Sequence, residues 1–100
     1  MVTTHKKEIL DEVITITMKP CGIAENYFRQ DWAWIQKELN IKSSRVFKGV
    51  YTLFELRFTD ISDLMAGLDW LEEYFNRLHY TLYWENEIYP HVRWTRKRKC

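Results

Sequence analysis

A chain of 100 residues with 46% hydrophobic content makes one domain, too apolar to be disordered throughout and too short to bury more than roughly 60–70% of its unfolded surface. Five Trp, six Tyr and five Phe must supply much of so small a core, because each ring brings a large apolar area at little rotamer entropy. The net charge of +1 hides a division: residues 93–99 hold five bases and no acid, while residues 55–87 hold eight acids against Arg57 and Arg77. No apolar run has the length of a membrane span, and Met1–Lys7 lacks the apolar core of a signal peptide. Cys21 and Cys100, far apart and alone, point to a reducing interior, so a cytoplasmic location is expected.

Residues 1–7 are polar and read as a mobile end. Within residues 8–18, Ile14, Ile16 and Met18 alternate with Val13, Thr15 and Thr17, the period of a strand with one buried face. Lys19-Pro20-Cys21-Gly22 ends that strand. A helix is predicted over Ile23–Leu39, its stripe formed by Ala24, Phe28, Trp32, Ile35 and Leu39, with Tyr27 and Trp34 at the margin. Asn40 suits its stop. A short strand, Arg45–Phe47, turns at Lys48-Gly49 into a longer one, Val50–Phe58, where Phe54, Leu56 and Phe58 alternate with Glu55 and Arg57.

The next helix, Ile61–Leu78, starts where Asp60 or Ser62 can cap its first amides, with Asp63 in the first turn. Ile61, Leu64, Met65, Leu68, Leu71, Phe75 and Leu78 form its apolar stripe, flanked by Trp70 and Tyr74. Tyr80, Leu82 and Trp84 then alternate with Thr81, Tyr83 and Glu85 as a strand. Ile88–Trp94 is a further edge strand, which Pro90 confines to the rim. The order strand, helix, strand, strand, helix, strand is that of an α+β ferredoxin-like βαββαβ sandwich: an antiparallel sheet with two helices on one face and an optional extra C-terminal edge strand. A different strand order in an open sheet is the alternative. Residues 1–94 form the single domain and 95–100 a basic C-terminal tail.

Nucleophilic catalysis needs a base beside a Ser, Cys or Thr, and His5, His79 and His91 stand in no such motif. No Cys-x-x-Cys, His-x-x-x-His or Asp-x-Asp spacing offers a metal site, and Gly22, Gly49 and Gly67 are too scattered for a phosphate loop. Neither enzyme activity nor a cofactor nor a metal is expected. The surfaces remain. Strand phase assigns Val13, Thr15, Thr17, Tyr51, Leu53, Glu55, Arg57, Thr81 and Tyr83 to the face the helices leave uncovered.

The leading expectation is a non-enzymatic adaptor or inhibitor that binds a protein partner, or a second copy of itself, through Tyr51, Leu53 and Tyr83 on the sheet. Asp63, Asp69, Glu72, Glu73 and Trp70 on the acidic helix would contribute, steering it to a basic, nucleic-acid-handling protein. The competing expectation is nucleic-acid binding by Tyr51, Tyr83 and Trp94, with Arg93, Arg96, Lys97, Arg98 and Lys99 on phosphates. Lys48-Gly49 resembles the opening of the long-strand signature of the RNA recognition motif family, which shares this element order. Val50 then stands where that family has an aromatic and Tyr51 where it has a small residue.

Overall fold

The computed structural model describes residues 10–81 and 91–98. Six elements follow in the order β1 (Leu10–Met18), α1 (Ile23–Glu38), β2 (Ser43–Lys48), β3 (Thr52–Phe58), α2 (Ile61–Thr81) and β4 (His91–Arg98). The architecture is α+β: one four-stranded sheet in the order β2-β3-β1-β4, every neighbouring pair antiparallel, with two helices. Each helix connection skips one strand, so β1 and β3, the most apolar strands, lie in the centre.

The phase of the two central strands is the one their alternation dictates. Ile14, Ile16 and Met18 of β1 and Phe54, Leu56 and Phe58 of β3 point to one side and are buried against Ala24, Phe28, Ile35 and Leu39 of α1 and Leu64, Leu71, Phe75 and Leu78 of α2. Both helices therefore cover the same face. Phe28 is the hub, its ring 4.7 Å from Phe54, 5.6 Å from Phe75 and 5.6 Å from Trp32, centre to centre. Burying one such ring contributes roughly 1.5–3 kcal/mol. α2 lies tight against the sheet at Gly67, where a β-carbon would stand 2.9 Å from Cζ of Phe58.

Local chemistry fixes the ends. Asp60 caps α2, its Oδ1 accepting the Asp63 amide at 2.9 Å, the expected N-cap geometry. α1 has no side-chain cap at Gly22, and it ends with Leu39 extended at φ −100°, so Asn40 does not close it in the left-handed form. In the β1–α1 turn it is Cys21 that takes φ 60°, a conformation uncommon for a side chain other than Gly, Asn or Asp. Glu25 holds that turn: its carboxylate accepts the Cys21 amide at 3.0 Å and the Thr52 hydroxyl at the start of β3.

Three expectations are corrected. The strand placed at Tyr80–Glu85 does not begin at Tyr80, because α2 continues to Thr81; Thr81 is thus a helical residue, and Tyr83 lies outside the described residues. The heptad-like run Leu71, Phe75, Leu78 carries the helix past its expected end, and alternation at 80–84 competes with it. The optional edge strand is instead the fourth strand, β4, shifted to His91–Arg98 and paired with β1 from Thr17↔His91 to Leu10↔Arg98. Residues 95–98, expected in the tail, are sheet. Finally, β3 starts at Thr52, because Val50 and Tyr51 form the turn with Gly49, whose amide donates to the Tyr51 carbonyl at 3.1 Å. Among the described residues no helix is long and apolar enough to cross a membrane.

Candidate functional site

The outer face of the sheet, away from the helices, carries Asp11, Val13, Thr15 and Thr17 of β1 and Leu53, Glu55 and Arg57 of β3 by register. Its centre is a closed ionic network. Asp11 and Glu55 are buried there, and Arg57 bridges them, donating to Asp11 Oδ2 at 3.0 Å and to Glu55 Oε1 at 2.9 Å. Lys42 adds a second contact to Asp11 at 3.4 Å. Burial lowers the basicity of Arg57, but the bonds to Asp11 and Glu55 outweigh it and hold the guanidinium more firmly protonated than usual. Buried carboxylates satisfied in this way are structural.

Val13, Thr15, Thr17, Leu53, Glu55 and Arg57 lie on the face to which the sequence assigned them, but the residues expected to bind do not gather there. Leu53 lies on it, half-buried, opposite Phe47 and Thr17. Tyr51 is exposed, but on the β2–β3 turn. Arg93 is exposed in β4 and pairs with Thr15, whereas Trp94, opposite Ile14, belongs to the helix side. There its indole donates to Glu12 Oε2 at 2.9 Å, and Arg96 donates to Glu12 Oε1 at 2.6 Å. Alternation thus divides Arg93 from Trp94 and Arg96, which do not form one nucleic-acid surface as expected. Lys97 and Arg98 pair with Asp11 and Leu10 in the ladder, and Lys99 lies outside the described residues.

The helix side carries a more distinctive feature, a groove of about 290 Å³ between the outward faces of α1 and α2. Tyr27, Asp31 and Trp34, spaced four and three apart, supply one wall; Trp70, Glu73, Tyr74, Arg77 and Leu78 supply the other. Apart from Leu78, which belongs to the core stripe of α2, these are second stripes, set beside the core stripe of each helix. Trp70 and Tyr74 lie parallel within 12° at 5.5 Å, and Trp34 meets Trp70 at 64° and 5.1 Å, an edge-to-face corner. Trp34 is 46% exposed and Tyr27 39%, large rings that pure core packing would not leave in water. Trp34 donates its indole N–H to Glu38 at 2.9 Å, which fixes the ring.

A hydrogen bond spans the groove. The Tyr74 hydroxyl donates to Asp31 Oδ2 at 2.7 Å. Burial and then the neighbouring carboxylate push the phenol's ionisation well above its ordinary range, so Tyr74 keeps its proton and acts as a donor, not a base. Glu73 accepts from Arg77 at 2.8 Å along α2. Of the acidic-helix residues expected to bind, Trp70 and Glu73 enter the groove, Asp69 and Glu72 are exposed, and Asp63 sits in the first turn of α2, accepting the Asn40 amide at 3.1 Å.

Charge separates by layer. The two helices hold seven acids against Arg29, Lys37 and Arg77, an excess of four negative charges. The four strands hold Asp11, Glu12 and Glu55 against seven bases, an excess of four positive charges. All three strand acids are buried and paired. Among the described residues no group of three or more His, Cys, Asp or Glu side chains is placed to hold a metal ion. No protein-family model, curated protein or solved structure matches the chain.

Proposed function

We propose that this chain is a non-enzymatic protein-binding module, an adaptor or inhibitor, that engages a basic partner through its helical layer. The observation that carries the reading is the aromatic-walled groove between α1 and α2, open to solvent and set in a layer with four negative charges in excess. Fixed, half-exposed Trp and Tyr side chains inside a charged rim are the anatomy of binding anchors. At about 290 Å³ the groove lies at the lower edge of the roughly 300–1,000 Å³ that small-molecule sites occupy, which favours a partner's side chain over a cofactor. The scaffold reads as a ferredoxin-like βαββαβ sandwich, supported by the element order and the antiparallel β2-β3-β1-β4 sheet.

The test is affinity capture with the wild-type chain and a Trp34→Ala variant side by side, read by mass spectrometry. A basic protein retained by the wild type, lost with Trp34→Ala and weakened by salt supports the reading. Equal retention by both removes the groove from it. Self-association is the variant in which the partner is a second copy, and light scattering across a concentration series decides it.

A nucleic-acid reading survives in altered form. Arg45 and Arg93 share one row on the outer sheet face, either side of Glu55 and Thr15, with exposed Phe47 one row away. It lacks ring platforms on the central strands, where single-stranded nucleic acid would stack. Titration with a single-stranded oligonucleotide at low salt tests it, and no binding there ends it.

A further inference from the structure

We propose that the groove between α1 and α2 seats the guanidinium of an arginine side chain presented by the protein partner. The inference rests on the helical layer being the binding surface, and names what that surface recognises. Ring faces attract cations that come within about 6 Å of their centres, Trp best of all, and a planar guanidinium can also stack on them. The parallel pair Trp70 and Tyr74 with Trp34 set against it at 64° offers flat walls and a corner. A spherical ammonium gains less from such walls than a flat cation does.

Carboxylates stand on both sides. Asp31 on α1 gives Oδ2 to Tyr74, and Glu73 on α2 gives Oε1 to Arg77. The second oxygen of each has no partner among the described residues, so each wall retains an acceptor. The Tyr74 bond matters here, because it orients the Asp31 carboxylate before any ligand arrives, as preorganised recognition requires. Arg77 already supplies one guanidinium to the rim, on Glu73, and its side chain is 75% exposed. The Asp31 side is where a second one enters. The fork of an incoming arginine would bond Asp31 Oδ1 while its plane rests on the indoles.

The occupant follows from charge complementarity: a layer four charges negative repels phosphates and acidic peptides and attracts a basic surface. The cavity, about 290 Å³, takes one long side chain.

The test uses the full chain, isotopically labelled, with the indole N–H signals of Trp34 and Trp70 followed by NMR. The probes are N-acetyl-arginine methylamide and its lysine and citrulline counterparts at constant ionic strength. The arginine compound should shift both indole signals saturably in the millimolar range, about what one anchoring side chain supplies. Lysine should bind several-fold more weakly, and citrulline, of like shape without charge, should leave the signals in place. Asp31→Asn should weaken arginine binding at least threefold, with Lys19→Gln, exposed just after β1 and outside the groove, as an unchanged control. Citrulline matching arginine, lysine matching arginine, or indole signals that never move would each overturn the assignment. If they do so while Trp34→Ala still abolishes partner capture, the binding surface stands and only the arginine is lost. Arginine binding without any Trp34-dependent partner leaves the groove assigned and removes the adaptor reading.

Discussion

Because the Tyr74–Asp31 hydrogen bond is a direct polar tie across the groove, its removal should be measurable in stability and in pH dependence. Tyr74→Phe deletes the donor and little volume. A hydrogen bond to a charged group contributes about 1.5–3 kcal/mol, and Asp31 is only half-buried, so water recovers part of the loss; about 1–2 kcal/mol is expected. Asp31→Asn keeps the shape and makes the bond a neutral one, at roughly half its strength, a loss of about 0.5–1 kcal/mol. With the donor already gone, the Asp31 substitution should cost little more, so the double-mutant cycle should show a coupling of about 0.5–1 kcal/mol.

Urea unfolding monitored by Trp fluorescence gives these differences, provided the m-value is unchanged. The alkaline limb is the second readout. The phenol's folded-state ionisation is raised above its ordinary 10.0, so the folded chain holds a proton that the unfolded chain releases. The Tyr74 contribution is complete below about pH 10 and is lost as pH rises beyond it. Above that pH the wild type should lose stability more steeply than Tyr74→Phe, the other tyrosines being common to both. Strictly additive single variants, or parallel alkaline limbs, would refute the claim that this bond joins the helices.

Gly67→Ala should destabilise by up to about 2 kcal/mol despite a helix-propensity gain of roughly 1, because the new β-carbon meets the fully buried Phe58 ring at 2.9 Å and overpacking costs about 1–3; thermal unfolding measures the sign. At Glu25 burial alone would raise the carboxyl's ionisation, but the Thr52 hydroxyl, the Cys21 amide and Arg29 together hold it below the usual 4.5. Its stabilisation is therefore present above about pH 4.5 and lost as pH falls through the lower folded value. Thr52→Val should flatten that acid limb in a pH series of urea midpoints. Truncation after Trp94 should cost about 2 kcal/mol or more, since it removes four ladder positions and leaves buried Glu12 without Arg96. A truncated chain as stable as the full one would return residues 95–98 to the role of a tail.

Parts of this fold were legible in the sequence. The phases of β1 and β3 were, because strict alternation of Ile14, Ile16 and Met18 against Val13, Thr15 and Thr17 admits no other pleat. The core stripes of both helices were as well, although Ile61 and Met65, counted in the stripe, are exposed at 39% and 47%; a stripe near a helix end overruns the sheet beneath it. The second half of β4 was hidden by composition. Arg96, Lys97 and Arg98 read as a solvated tail beyond an edge strand ending at Trp94, yet long basic stems suit an edge strand, where charge also discourages pairing with another chain. The groove was half visible. Tyr27, Trp34, Trp70 and Tyr74 stood out at the stripe margins, but no single helix reveals that two margins will face each other. That depends on how α1 and α2 rotate on the sheet, a property of packing that neither segment encodes alone.

Among the described residues, acids collect on the helices and bases on the strands, so the two layers of a chain of net charge +1 carry opposite excess charge. Such a body tumbles freely in salt but turns in the field of a highly charged neighbour before touching it. A cationic surface would meet it helices first, already presenting the mouth between α1 and α2, at encounter rates that fall as ions screen the field over about 10 Å. Its near-neutrality would give no hint of that orientation in an electrophoretic mobility, which reads net charge alone.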